Sequence, residues 1–142
     1  MSDASFQQAV AEICARDTRY AADSYYFLRE ALDHTVKSLK KPPDGPQRHV
    51  TGQELVEGLR AYVLQEFGPL ALTVLHAWGI RRTEDFGDIV FNLVKAGKLG
   101  KTDKDERADF ANGYDFQEAF ARPFEVEPAI AARPRRRRPG SR

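Results

Sequence analysis

Residues 83–94 read Thr83-Glu84-Asp85-Phe86-Gly87-Asp88-Ile89-Val90-Phe91-Asn92-Leu93-Val94. Phe86, Ile89, Val90, Leu93 and Val94 recur at spacings of 3, 1, 3 and 1. Side chains three and four residues apart share one face of an α-helix, so this run predicts an amphipathic helix. Thr83 is expected to cap it, Glu84 and Asp85 to complement the positive end of its dipole, and Gly97 to end it. Gly87 is expected to give a neighbouring helix room to approach.

Upstream, the same period recurs. Ser5 with Gln8 reads as a capping box, followed by Phe6, Val10, Ile13 and Cys14 on one face. Asp17 or Thr18 is expected to cap a longer helix carrying Ser24, Phe27, Leu28, Ala31, Leu32, Thr35, Val36 and Leu39. Pro42-Pro43-Asp44-Gly45-Pro46 stops that helix and opens a loop over 42–49, because proline cannot continue the hydrogen-bond ladder. Thr51 and Glu54 form a second capping box ahead of the stripe Leu55, Leu59, Tyr62, Val63 and Phe67. Gly68-Pro69 breaks the chain, and Pro69 suits the first turn of a helix carrying Leu70, Ala71, Val74, Leu75 and Trp78, which Gly79 ends.

Downstream of Gly97 the pattern changes. Lys98 to Thr102 and Arg107 to Phe110 flank the charged turn Asp103-Lys104-Asp105-Glu106, which reads as a short β-hairpin. Asn112-Gly113 marks a turn, and Asp115 with Glu118 starts a short helix bearing Phe116 and Phe120. The expected fold class is therefore mainly α. About five helices form one domain over residues 1–122, with an aromatic C-terminal arm over 110–124 and a disordered Pro/Arg-rich tail over 123–142. From 51 to 110 the order helix, helix, turn, helix, hairpin is that of a winged helix. A plain helical bundle with a long C-terminal arm is the competing arrangement.

The 142 residues carry 22 Lys and Arg against 21 Asp and Glu, a net charge of +1. That sum hides an asymmetry. Residues 133–142 hold six arginines and no acid; without them 16 basic residues face 21 acidic ones, a net of −5. The body is acidic and the tail basic. Arg133, Arg135, Arg136, Arg137, Arg138 and Arg142 are candidate phosphate contacts, giving salt-dependent, sequence-independent nucleic-acid binding. A lone cysteine, Cys14, allows no internal disulfide. Met1 to Phe6 has neither a basic nor an apolar signal-peptide region. The longest apolar stretch, Pro69 to Trp78, is interrupted by Thr73 and His76 and is too short for a membrane span. These features lead to the expectation of a cytoplasmic protein.

Each partial catalytic motif fails on its surroundings. Asp85-Phe86-Gly87 imitates the metal-binding tripeptide of protein kinases, but it sits in a helix and lacks the rest of the kinase set. Gly100-Lys101-Thr102 imitates the end of a phosphate-binding loop, but Lys95 stands where the pattern needs glycine. Asp103, Asp105 and Asp109 suggest a calcium loop, but Arg107 and Ala108 occupy positions that need an oxygen ligand and a glycine. His34, His49 and His76 have no metal-ligand spacing, and Cys14 has no Cys-x-x-Cys partner. No Glu-x-x-His pair supports a di-iron site. Neither a cofactor nor a metal is expected.

The aromatics stand apart. Tyr25, Tyr26 and Phe27 are consecutive and cannot all face one core. Phe110, Tyr114, Phe116, Phe120 and Phe124 crowd a short, charged arm. They read either as rings that wrap the bundle or as an aromatic-anchored interface.

The runs His49-Val50-Thr51-Gly52-Gln53-Glu54-Leu55, Phe67-Gly68, Trp78-Gly79-Ile80 and residues 83–94 resemble a small uncharacterised bacterial protein family. The most specific part is Thr-x-Asp-Phe-Gly-x-Ile-Val-Phe-Asn-Leu-Val, and the likeness covers most of residues 6–120. The resemblance implies a bacterial, cytoplasmic protein and supplies no catalytic residue. The arginine tail lies outside it.

The function expected from the sequence is that of a non-enzymatic protein-interaction domain. Its candidate partner surface is the acidic face Glu84, Asp85 and Asp88 with Asn92 and Phe91. Acids at these positions would repel phosphate, so even a winged helix here would serve protein contacts. The alternative is a nucleic-acid- or ribosome-associated protein that uses the arginine tail.

Overall fold

The helical period around Phe86 recurs in each α-helix of the structure. A computed structural model describes residues 3–41, 49–99 and 107–125. They form α1 (Asp3–Arg16), α2 (Ala22–Ser38), α3 (Gly52–Phe67), α4 (Ala71–Ala77) and α5 (Thr83–Lys95). A 3-10 turn, Gly68–Leu70, joins α3 to α4 with Pro69 in its first positions. The arm holds a 3-10 turn at Arg107–Phe110, a π-helical turn at Gln117–Ala121 and a final 3-10 turn at Arg122–Phe124. The described residues contain no strand. No helix among them is long and apolar enough to cross a membrane.

One core gathers the stripes read from the sequence. Phe6, Val10 and Ile13 of α1 meet Tyr25, Leu28 and Ala31 of α2, Leu59 and Val63 of α3, Leu75 of α4, and Phe86, Ile89 and Leu93 of α5. Each large apolar side chain taken fully out of water contributes about 1.5–3 kcal/mol, so these dozen positions dominate the stability. The α2–α3 pair makes the most extensive helix–helix packing. The Thr51 capping box is present: Thr51 Oγ1 accepts from Glu54 N and Glu54 Oε1 accepts from Thr51 N, both at 3.0 Å. In the arm, Asp115 Oδ2 accepts from Glu118 N at 3.1 Å, as its cap position predicts.

Three start signals act differently from their sequence reading. Ser5 lies inside α1, where its hydroxyl meets the Lys98 ammonium. Neither Asp17 nor Thr18 caps α2, which begins after Ala21 with no side-chain cap. Thr83 is the first residue of α5 and is buried. Its Oγ1 donates to the Phe110 carbonyl at 2.6 Å and accepts from Gly113 N at 3.0 Å. The α5 cap comes instead from Asp85, whose Oδ2 accepts from Arg81 N at 2.8 Å and Arg82 N at 3.3 Å.

The hairpin and the winged-helix centre are corrected by the same contact. Arg107–Phe110, expected as the second strand of the wing, is a 3-10 turn packed on α5 and α3. Phe110 is buried there. A Cβ on Gly87 would lie 2.9 Å from Phe110 Cβ, so only glycine admits this approach. Burial of one ring against α5, anchored by the Thr83 hydroxyl, favours a tight turn over an extended ladder. Residues 100–106, the rest of the expected hairpin, lie outside the described residues, as do 42–48 of the expected loop and 126–142 of the expected tail. The arrangement is a helical bundle wrapped by an aromatic arm. Phe110, Phe116 and Phe120 are all buried.

Candidate functional site

The expected partner face of α5 is tied into the fold by a knot of polar groups. Residues 17–21 link α1 to α2 and cross the N-terminal half of α5. The Tyr20 hydroxyl lies 2.7 Å from Asp85 Oδ1 and 2.9 Å from Asp88 Oδ2, and shares its one proton between them. Arg19 donates to Asp88 Oδ2 at 3.1 Å and to both oxygens of Asp17 at 2.9 and 2.7 Å. Asn92 Nδ2 donates to Asp17 Oδ2 and to the Tyr25 hydroxyl, each at 3.0 Å. Glu84 accepts from the Asn112 backbone N–H at 3.3 Å, and Phe91 is half-buried against the core. The backbone closes the same corner: Ala21 N donates to the Trp78 carbonyl at 3.1 Å. Gly79, at φ +89°, presses on the Arg19 carbonyl where a Cβ would stand 2.1 Å away.

Protonation is set by these contacts. The Arg19 guanidinium holds the Asp17 carboxyl well below the usual carboxylate range, against the opposing cost of partial burial, with Asn92 assisting. Burial first and the Asp85 acceptor second push the Tyr20 phenol up, so it keeps its proton. Burial and the Asp17 charge also push the Cys14 thiol up, and a protonated thiol is a weak nucleophile. Among the described residues no group of three or more His, Cys, Asp or Glu side chains is arranged to hold a metal ion.

A second region presents rings. Phe27 of α2 lies at the centre of a band that crosses α2, α3 and α4. Its ring centroid is 5.1 Å from Tyr62, 5.1 Å from Phe67 and 5.4 Å from Trp78. Phe67 meets Trp78 edge-on at 5.6 Å, and His34 lies over Tyr62 at 4.8 Å. Phe27 is buried, whereas Tyr62, Phe67, Trp78 and His34 are each half-buried. Leu70, on the turn after Phe67, is 63% exposed. Acids surround the band. Asp23 and Glu30 stand one turn either side of Phe27, and Glu66 stands one turn after Tyr62. Burial, followed by the charges of Glu66, Glu30 and Asp33, pushes the Tyr62 phenol up. Lys37 offsets part of this charge by pairing with Asp33 at 3.3 Å.

The band runs into a groove of about 400 Å³ between α2 and α3, lined by His34, Thr35, Ser38, Leu39, Glu54 and Glu57 among others. Its carboxylates have partners: Glu54 takes the Thr51 N–H and the Lys41 ammonium, and Glu57 takes Arg60.

The three consecutive aromatics diverge as their spacing requires. Tyr25 faces the knot, Tyr26 packs edge-on against Phe6 at 5.2 Å, and Phe27 anchors the band. Sequence reasoning places the partner face on α5 and misses the band, although Tyr62, Phe67 and Trp78 all lie on predicted apolar stripes. The usable signal is their place at stripe edges, beside Glu66 and Leu70. The arginines at 133, 135–138 and 142 lie outside the described residues. Comparison with protein-family models, with curated proteins and with solved structures finds no match for this chain.

Proposed function

We propose that this protein is a non-enzymatic interaction domain that docks a partner protein on the face formed by Tyr62, Phe67, Trp78 and Leu70. The observation that carries this reading is the aromatic band itself: half-buried rings supported from below by Phe27, with an exposed leucine at one end. Large, rigid aromatic side chains on a fixed support are what anchor protein interfaces, because they bury much area at little entropic cost. The rim sets the partner's chemistry. Asp23, Glu30, Asp33 and Glu66 select a segment that offers apolar side chains flanked by Lys or Arg. The polar groups on α5 support the non-enzymatic part of the reading, since they are committed to one another and to backbone donors.

The test uses three synthetic amphipathic peptides of equal apolar content and of basic, neutral or acidic net charge. Trp78, the chain's one tryptophan, reports binding by its fluorescence. The basic peptide is expected to bind at least about tenfold more tightly than the acidic one, the ~1.4 kcal/mol that a few rim charges supply. Tyr62→Ala and Leu70→Ser are expected to weaken that binding while leaving the helical circular dichroism intact. Binding that ignores peptide charge and both substitutions would overturn the reading.

A second reading rests on the six arginines of residues 133–142. They would neutralise phosphates of RNA or DNA, with log affinity falling by about 0.7 per contacted phosphate for each tenfold rise in salt on a single strand. The full chain and its arginine-to-serine variant are compared across a salt series. Equal binding by the two removes this reading.

A further inference from the structure

We infer that residues 126–142 of the same chain are a built-in occupant of the aromatic face, covering Tyr62, Phe67, Trp78 and Leu70 until a partner displaces them. This rests on the docking reading above and adds to it how the face is regulated.

The path of the arm leads towards the band. The π-helical turn Gln117–Ala121 packs on α3, on α4 and on the Gly68–Leu70 turn, the elements that carry Tyr62, Phe67, Trp78 and Leu70. The final turn, Arg122–Phe124, continues from it and leaves Phe124 46% exposed. The described chain therefore ends, at Glu125, on a turn that follows directly from one packed on the elements of the band.

The composition of the remaining segment suits an extended, basic strap. Residues 126–142 contain Val126 and Ile130, prolines at 128, 134 and 139, and six arginines against one acid, Glu127. Proline favours extended backbone, which lies along a surface without needing a folded partner strand or helix. At ~3.3 Å per residue, Val126 to Arg135 spans ~30 Å, enough to cross helices packed 8–10 Å apart.

Strap and face are also complementary in charge and shape. The guanidinium is the side chain best suited to a rim of carboxylates around aromatic rings, because it pairs with the first and stacks on the second. The molecule already uses this contact: Arg29 lies 4.1 Å over the Phe6 ring and 5.7 Å over Tyr26. An acidic body of net −5 attracts a basic tail, and the band offers such a tail both carboxylates and ring faces.

The experiment compares the intact chain with a full-length variant in which Arg133, Arg135, Arg136, Arg137 and Arg138 are all replaced by Ser. Matching circular dichroism and melting curves verify that both are folded. Acrylamide quenching of Trp78 is expected to rise about twofold in the variant. The basic peptide is expected to bind it about tenfold more tightly, as it would if the tail occupies ~90% of faces in the intact chain. Adding a peptide of residues 126–142 in trans is expected to restore Trp78 protection.

Equal quenching and equal peptide affinity in the two proteins would overturn the inference and leave the docking face standing. Failure of both proteins to bind the basic peptide would remove the docking face, and the inference with it. Trp78 protection that grows with protein concentration would assign the face to a neighbour's tail and overturn cis occupancy. Loss of RNA binding in the variant with Trp78 unchanged would assign the arginines to phosphates and also overturn it.

Discussion

The knot on α5 and the band across α2, α3 and α4 differ in how their groups find partners. In the knot, carboxylates that look like an exposed acidic face are taken up by donors from a distant part of the chain and from the adjoining backbone. Tyr20 and Arg19 come from the α1–α2 link, and Arg81 and Arg82 contribute backbone N–H groups. In the band, rings that look like core material pack on one another and on Phe27 yet stay only half-buried. Interior and surface are thus decided less by the polarity of a residue than by the partners the fold supplies. A carboxylate with three donors belongs to the structure, while a ring packed on one side only keeps part of its surface in water.

If the two regions differ in this way, substitutions in the knot change stability and leave peptide binding alone. The largest effect is expected for Tyr20→Phe. It removes one hydroxyl proton that two carboxylates share and keeps the ring in the core. Loss of a hydrogen bond to charged, partly buried acceptors costs about 1.5–3 kcal/mol. Urea denaturation measures the loss, and titration with the basic peptide is expected to be unchanged. A stability change near zero would mean that the knot does not tether α5 to the α1–α2 link.

A smaller effect, with a pH signature, is expected for Asp17→Asn. Asp17 is held below its usual range by Arg19, so its contribution is present above the unfolded value of about 4 and is lost as pH falls through the folded value. The gap in melting temperature between the wild type and the variant is expected to be constant from pH 7 to pH 5. Below about pH 4 it is expected to narrow progressively, as the unfolded wild-type chain takes a proton that the folded Asp17 does not. A gap that persists unchanged down to the pH at which the native carboxyl is protonated would place the stabilisation outside the Asp17–Arg19 pair.

The helices are legible in the sequence because each carries its own period. Phe86, Ile89 and Leu93 mark α5 without reference to any other segment, and the Thr51–Glu54 box marks the start of α3. The corrected features depend on residues far away in the chain. Thr83 has the chemistry of a cap, yet Phe110 and Gly113, about thirty residues on, recruit its hydroxyl. Arg107–Phe110 resembles a strand because nothing local signals that Phe110 will dock on Gly87. The candidate site is legible only as a count of rings. Tyr25, Tyr26 and Phe27 have to diverge, but which ring meets which partner depends on how α2, α3 and α4 pack. The same gap hides Tyr20 as the donor to Asp85 and Asp88, 65 and 68 residues away.

The smallest expected change in stability is also the sharpest separation of the two regions. Leu70 makes little use of the core, since 63% of it is exposed, and Leu70→Ser removes apolar surface that water already reaches. Its effect on unfolding is expected to stay within about 0.5 kcal/mol, the range of exposed substitutions that disturb no charge pair or cavity. Its effect on basic-peptide affinity is expected to be about tenfold, because a buried leucine at an interface is worth ~1.5 kcal/mol once a partner covers it. The double variant Tyr20→Phe/Leu70→Ser then tests independence. The Tyr20 hydroxyl bonds to Asp85 and Asp88 on α5, whereas Leu70 lies on the α3–α4 turn, so the two changes act on separate elements. The stability loss should therefore equal that of Tyr20→Phe alone and the affinity loss that of Leu70→Ser alone. A coupled response would mean that docking on the band is sensed through Trp78 and Ala21 at the α1–α2 link, joining the two regions into one.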